Sequence, residues 1–174
     1  ILRANASRYG LGAAIYTNRL DEAMAATERL ECGMVWVNNV LGDNDALLRT
    51  WFASGPLIAY GGRLTVRSVK LYADGALGSR GAALLEPYSD EPGNKGLMLA
   101  RPEHLEDVST RGRAAGFQVN THAIGDRGVR NVIEAYEKAG VGAADRYRVE
   151  HLQVIAPADV PRLPARGIIA SMQP

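Results

Sequence analysis

Apolar positions along the chain switch between strand and helix periods, and the switches divide it into short elements. Residues 11–16, "LGAAIY", predict a short strand, and "LDEAMAATERLE" puts Leu20, Met24, Thr27 and Leu30 on one helical stripe with Gly33 as its stop. "MVWVN", residues 34–38, is a β-branched and aromatic strand run, and "DNDALLRTWFASGP" a capped helix ended by Gly55 and Pro56. From residue 63 the pattern is regular: "RLTVRSVKLYAD" alternates as one strand carrying Leu64, Val66, Val69 and Leu71. The Gly-rich loop "GALGSRGAALLEPYSDEPGNKG" is too long for a simple connection. Helix "RPEHLEDVSTRGRAAG", strand "FQVNTH", helix "DRGVRNVIEAYEKAG", strand "YRVEHLQV", helix "PADVPRLPARG" and strand "IIASM" follow. The second of these helices has Val129, Val132, Ile133 and Tyr136 on one stripe, Asp126 as N-cap and Gly140 as stop.

Strands alternating with helices specify a parallel α/β sheet with right-handed crossovers. The length of 174 residues suits one ordinary domain, and the 47% apolar and 22% charged shares are those of a soluble globular protein. Lys and Arg number 20 against 19 Asp and Glu, so no basic field argues for nucleic acid or an anionic membrane. No apolar run approaches the roughly 20 residues of a membrane helix. The single cysteine, Cys32, excludes an internal disulfide framework and fits a reducing, cytoplasmic setting. The start "ILRANASRYG" and the stop "GIIASMQP" both read as cut, so the chain is expected to be a piece of something longer.

In parallel α/β folds ligands gather at the carboxyl ends of the strands. Lys70 lies late in its strand, His122 ends the next and His151 the one after. Imidazoles on successive strands can point at one divalent ion. An ammonium repels a metal, but a buried lysine amine can add carbon dioxide to give a carbamate that bridges two ions. Each residue also has a plainer reading. His122 could cap its helix or bond Asp126, His151 could pair with Glu150, and Lys70 could be solvated. Their shared position at three consecutive strand ends favours the metal reading. His104, inside a charged helix, reads as solvated.

The words "VKLYADGALGSRGAALLEPYSDEPGN", "VNTHAIGD" and "YRVEHLQV…IIASMQP" resemble the amidohydrolase superfamily, in the branch of metal-dependent hydrolases called amidohydrolase family 3. The resemblance covers about residues 46–174. It implies a partial (β/α)₈ TIM-type barrel, about strands four to seven, with Lys70, His122 and His151 as ligands of a divalent metal. That metal is expected to be Zn, binuclear in the complete site. The family's first-strand His-x-His pair and its strand-eight aspartate have no counterpart here. The resemblance therefore implies hydrolysis of C–N bonds in a small molecule, with the chain inactive by itself and its oligomeric state open. In the loop after the Lys70 strand, Asp74, Gly78 and Arg80 are expected to line the site mouth and bind substrate. Arg80 reads equally as a carboxylate anchor or a structural arginine. Asp126 fits a role orienting His122 through the ring nitrogen that does not bind metal.

Residues 3–46 resemble something else. "ASRYGLGAAIYT", "LDEAMAATERLECG" and "MVWVNN" are similar to the aldehyde dehydrogenase segment that follows the catalytic cysteine. Two units are thus expected, a strand–helix–strand segment over 1–46 and the partial barrel over 47–174. The rival readings are a fragment of an NAD(P)-dependent aldehyde dehydrogenase and a catalytically inactive chimeric α/β chain.

Overall fold

The computed structural model describes residues 13–15, 21–22, 25, 29, 35–37, 45–60 and 64–173. The predicted stripe Leu20, Met24, Thr27 and Leu30, its stop Gly33, and Cys32 lie outside them. Strands β1 (Ala13–Ile15) and β2 (Val35–Val37) pair in parallel, as expected, and form a sheet of their own. Asp21, Glu22, Ala25 and Arg29, between them, are helical.

Helix α1 (Asp45–Ser54) buries Leu48 and lays Trp51 and Phe52 against the core, the Phe52 ring 5.6 Å from that of Phe117. Gly55 ends it at φ +75°, a left-handed conformation that costs glycine little, with its N–H returned to the Trp51 carbonyl. The next segment departs from the sequence reading. Residues 57–60 form a strand, β3 (Leu57–Tyr60), antiparallel to β4 (Leu64–Val66). The single strand expected over residues 63–74 is two, β4 and β5 (Ser68–Tyr72), separated at Arg67. The signal passed over is Gly61-Gly62, a dipeptide that favours hairpin turns.

Four parallel strands then follow in chain order, β5, β6 (Gln118–Ala123), β7 (Arg148–His151) and β8 (Ile169–Ser171). Helices α2 (Pro102–Ala114) and α3 (Asp126–Lys138) cover one face. Alternation decides which residues they cover. Val69, Leu71, Val119, Thr121 and Val149 are buried, while Lys70, Tyr72, Asn120, His122, Arg148 and Glu150 are half-buried on the other face. The predicted α3 stripe of Val129, Val132, Ile133 and Tyr136 is buried against the sheet, each of its apolar side chains contributing about 1.5–3 kcal/mol. Tyr136 adds a polar tie: its hydroxyl donates to the Arg148 carbonyl at 3.0 Å and lies 2.7 Å from Thr121 Oγ1, linking α3 to β6 and β7.

A 3₁₀ turn, Ala143–Asp145, precedes β7. The last helix is shorter than expected: only α4 (Arg162–Arg166) is helical, and residues 157–161 form turns. Prolines 157, 161 and 164 withhold N–H groups, and Pro161 sits where a helix tolerates proline, at its start. No helix among the described residues is long and apolar enough to cross a membrane.

Candidate metal centre

Lys70, His122 and His151 lie on three adjacent parallel strands, the histidines at the strand ends as expected and Lys70 in the middle of β5. Tyr72 pairs in register with His122, and His122 with Glu150. Lys70, Tyr72, His122 and Glu150 therefore share the face that the helices do not cover. Parity alone would send His151 to the opposite face, because it pairs with the buried Ala123. The backbone reverses that outcome. His151 has φ +75° and Leu152 φ +44°, two consecutive left-handed residues, a strain of about 1–3 kcal/mol each. The turn brings the His151 ring edge-on to His122, with centroids 4.7 Å apart, and sends Leu152 into the core. The Lys70 amine lies 5.2 Å from the centre of the Tyr72 ring, which is 5.3 Å from His122. The four side chains thus form one contiguous row.

Each imidazole has one nitrogen engaged. His122 Nε2 is 3.4 Å from the Gly75 carbonyl and 3.7 Å from Asp74 Oδ1, while His151 Nδ1 is 2.9 Å from Gln173 Nε2. That leaves His122 Nδ1 open, and His151 Nε2 open once the ring proton sits on Nδ1. Burial holds the His122 imidazole below its ordinary range. The Gly75 carbonyl opposes this, His151 adds to it, Asp74 opposes it and Lys70 adds to it. At neutral pH the ring is therefore neutral and has a lone pair to give. Burial likewise depresses the Lys70 amine, with Glu150 opposing and Arg148 adding. That direction favours the neutral amine, the form that carbamate formation needs. Beneath this row Arg148 donates to Glu150 Oε1 and to Ser171 Oγ, both at 2.7 Å. Burial pushes the Glu150 carboxyl up, but its bonds to Arg148 and Ser171 outweigh that and hold it low.

The residues expected to bind substrate are placed differently. Asp74 does not line a mouth. It is fully buried, accepting backbone N–H bonds from Ile124 (2.9 Å) on Oδ1 and from Ala83 (2.9 Å) and Gly125 (2.8 Å) on Oδ2. Burial pushes its carboxyl above the usual range, against those three N–H groups and the His122 ring. Asp74 thus fastens the loop that follows β5 to the start of α3. Gly128 completes the fastening, since a Cβ there would lie 2.5 Å from Asp74 Oδ2. Arg80 is exposed but engaged, forking to Asp90 at 2.7 and 3.3 Å and reaching Glu91 at 3.4 Å. Gly78 is exposed, with open space around it. Asp126 is not the N-cap: Gly125 is, and Asp126 is the first helical residue, accepting from Leu85 N–H at 2.9 Å and Arg127 N–H at 3.0 Å. The carboxylate beside His122 is that of Asp74. His104 is half-buried on α2.

Sequence reasoning offered Glu150 only as a partner of His151, whereas it accepts from Arg148, and it passed over Tyr72, Ser171 and Gln173. Alternation could have found the last two: in "IIASMQP", Ser171 and Gln173 are two apart, and Ser171 faces Arg148. Among the described residues no three His, Cys, Asp or Glu side chains gather as a metal cage. Two imidazoles and one amine fit part of a divalent site, and only part.

The described residues form a mixed α/β scaffold whose four-stranded parallel sheet carries Lys70, His122 and His151 on three adjacent strands. A family model described as "Amidohydrolase family" matches residues 7–174, and the chain belongs to that family. It is 38% identical over 114 residues to Protein LONG AFTER FAR-RED 3 of Arabidopsis thaliana, covering 64% of this chain and 20% of that protein. It is 35% identical over 121 residues to the Putative amidohydrolase YtcJ of Bacillus subtilis, covering 70% of this chain and 22% of the relative. A metal-dependent hydrolase from Pyrococcus furiosus superposes with a TM-score of 0.74 at 27% identity, over 93% of this chain and 33% of that one. The chain thus spans about a fifth of the length of these curated relatives. A short match also appears to the Succinate-semialdehyde dehydrogenase [NADP(+)] of Deinococcus radiodurans, 56% identical over 36 residues, 21% of this chain and 8% of that enzyme.

Proposed function

We propose that the chain carries part of the centre of a metal-dependent hydrolase acting on amide-type C–N bonds of a small molecule. The single observation that carries the reading is the pair of imidazoles with ring centroids 4.7 Å apart on adjacent strand ends, beside Lys70 on the same face. In this reading β5 to β8 are about the fourth to seventh strands of a (β/α)₈ barrel. His122 Nδ1, His151 Nε2 and a carbamate on Lys70 would hold the ions, Zn in a binuclear arrangement. A divalent ion held there would supply Lewis-acid polarisation of the scissile carbonyl and acidify water. The chain's own residues prepare that site. Burial favours the neutral His122 ring and lowers the basicity of the Lys70 amine, and Arg148 offsets the Glu150 charge below them. Gly78 and Arg80 belong to the substrate side, where Arg80 meets a substrate carboxylate only by exchanging Asp90. The setting is cytoplasmic, as the single cysteine indicates.

The division at about residue 46 belongs to the same proposal. The short dehydrogenase match and the separate β1–β2 sheet support it, whereas the family match from residue 7 pulls the other way. Limited proteolysis decides it: cleavage between Val37 and Asp45 that leaves a folded C-terminal product supports two units.

The metal reading is tested by Zn²⁺ titration of the 174-residue chain, followed by histidine NMR and by metal analysis after dialysis. Tight Zn sites hold three or four protein ligands, so weak binding, loss of metal on dialysis and no turnover in an amidase screen are expected. His122→Ala and His151→Ala should each abolish the response. Zn²⁺-induced shifts that survive both substitutions would overturn the reading and favour the dehydrogenase or inactive alternatives.

A further inference from the structure

Gln173 follows β8 and is exposed, yet its amide nitrogen lies 2.9 Å from His151 Nδ1. It stands two residues beyond Ser171, which bonds Arg148 on the helix-free face, so strand alternation delivers Gln173 to the row of metal-site candidates. The left-handed backbone at His151 and Leu152 delivers His151 to the same place. Two unrelated features of the chain thus converge on one imidazole. A neutral imidazole carries its proton on one nitrogen, and the partner of that nitrogen decides which. A primary amide suits either case. Its NH₂ donates to an unprotonated Nδ1, and its carbonyl accepts from a protonated one, the two differing by an amide flip.

We propose that Gln173 is the positioning residue of His151. It occupies Nδ1 and sets the ring plane and tautomer: while its NH₂ donates to Nδ1 the proton sits on Nε2, and an amide flip that lets its carbonyl accept from Nδ1–H frees Nε2 for a ligand. Its value for hydrolysis rests on the metal reading above, but the positioning itself does not. A surface glutamine kept only for solvation would not govern where a neighbouring ring holds its proton.

The test is ring ¹⁵N NMR of the 174-residue chain in mildly alkaline buffer, where a free imidazole is neutral. In the metal-free chain His151 should show one tautomer with an unprotonated Nδ1. Gln173→Ala should give a mixture of tautomers at unchanged far-UV circular dichroism. Gln173→Glu, whose carboxylate can only accept, should move the proton to Nδ1. With Zn²⁺ as probe, Gln173→Ala should weaken the His151 response about 10- to 100-fold. A tautomer indifferent to both substitutions overturns the proposal. If the tautomer ignores residue 173 while Zn²⁺ moves His151, the metal reading stands and the role of Gln173 falls. If the tautomer follows residue 173 while Zn²⁺ leaves His151 unmoved, the positioning stands and the metal reading falls.

Discussion

Replacing Gly128 by alanine probes the fastening that holds the long loop over the site. A Cβ at residue 128 would lie 2.5 Å from Asp74 Oδ2 and 2.8 Å from its Cγ, well inside contact distance. The carboxylate cannot retreat freely, because Oδ2 accepts from Ala83 N–H and Gly125 N–H at 2.9 and 2.8 Å. Overpacking of a buried position costs about 1–3 kcal/mol. Loss of one of two backbone bonds to a charged acceptor adds about 1.5–3 kcal/mol. Alanine recovers at most about 1 kcal/mol of helix propensity. The expected net destabilisation is about 1.5–5 kcal/mol, a large share of the roughly 5–15 kcal/mol that holds a domain folded. Urea unfolding followed by far-UV circular dichroism measures it, with Gly78→Ala as control, since a Cβ at residue 78 meets nothing within 4 Å. The control should stay within about 0.5 kcal/mol of the parent. If Gly128→Ala unfolds at the same midpoint as the control, Asp74 is not the fastening described here.

Other expectations follow from the same physics. Tyr136→Phe removes the buried hydroxyl shared with Thr121 and Arg148 and should cost about 1–3 kcal/mol in urea unfolding at unchanged secondary structure. The His122 C–H resonances should titrate below the ordinary value of about 6.5. Because the unfolded chain then binds the proton more readily, the stability tied to His122 is present above about pH 6.5 and is lost as pH falls towards its folded value. The Arg162 hydrogen bond, first, holds Glu137 low, so its contribution is present above its unfolded value of about 4.3 and vanishes as pH falls through the folded one. Glu137→Gln should accordingly flatten the acid limb of the stability profile. An unchanged limb would show that the Glu137–Arg162 pair contributes nothing measurable.

Local pattern and long-range closure divided the information in this chain between them. The order of strands and helices from residue 102 onward was legible, because the α3 stripe, the proline start of α2 and the glycine stops are local signals that packing did not override. The strand-end positions of His122 and His151 were legible for the same reason, whereas Lys70, expected late in its strand, is the middle residue of the shorter β5. The hairpin at Leu57–Val66 was written locally too, in Gly61-Gly62, but it was hidden by a longer alternating run. Three decisions came only with tertiary structure. Alternation puts His151 on the covered face, and only the left-handed turn at His151 and Leu152 brings it to His122. Asp74 and Asp126 look interchangeable as partners of His122, but closure of the loop buries Asp74 against Ile124, fifty positions away, and ties Asp126 to Leu85 instead. Gln173 reaches His151 across twenty-two positions because β7 and β8 pair side by side. Periodicity reports the face and end of an element. Which carboxylate or amide arrives at a given ring depends on how distant backbone segments close, and no window of sequence contains that.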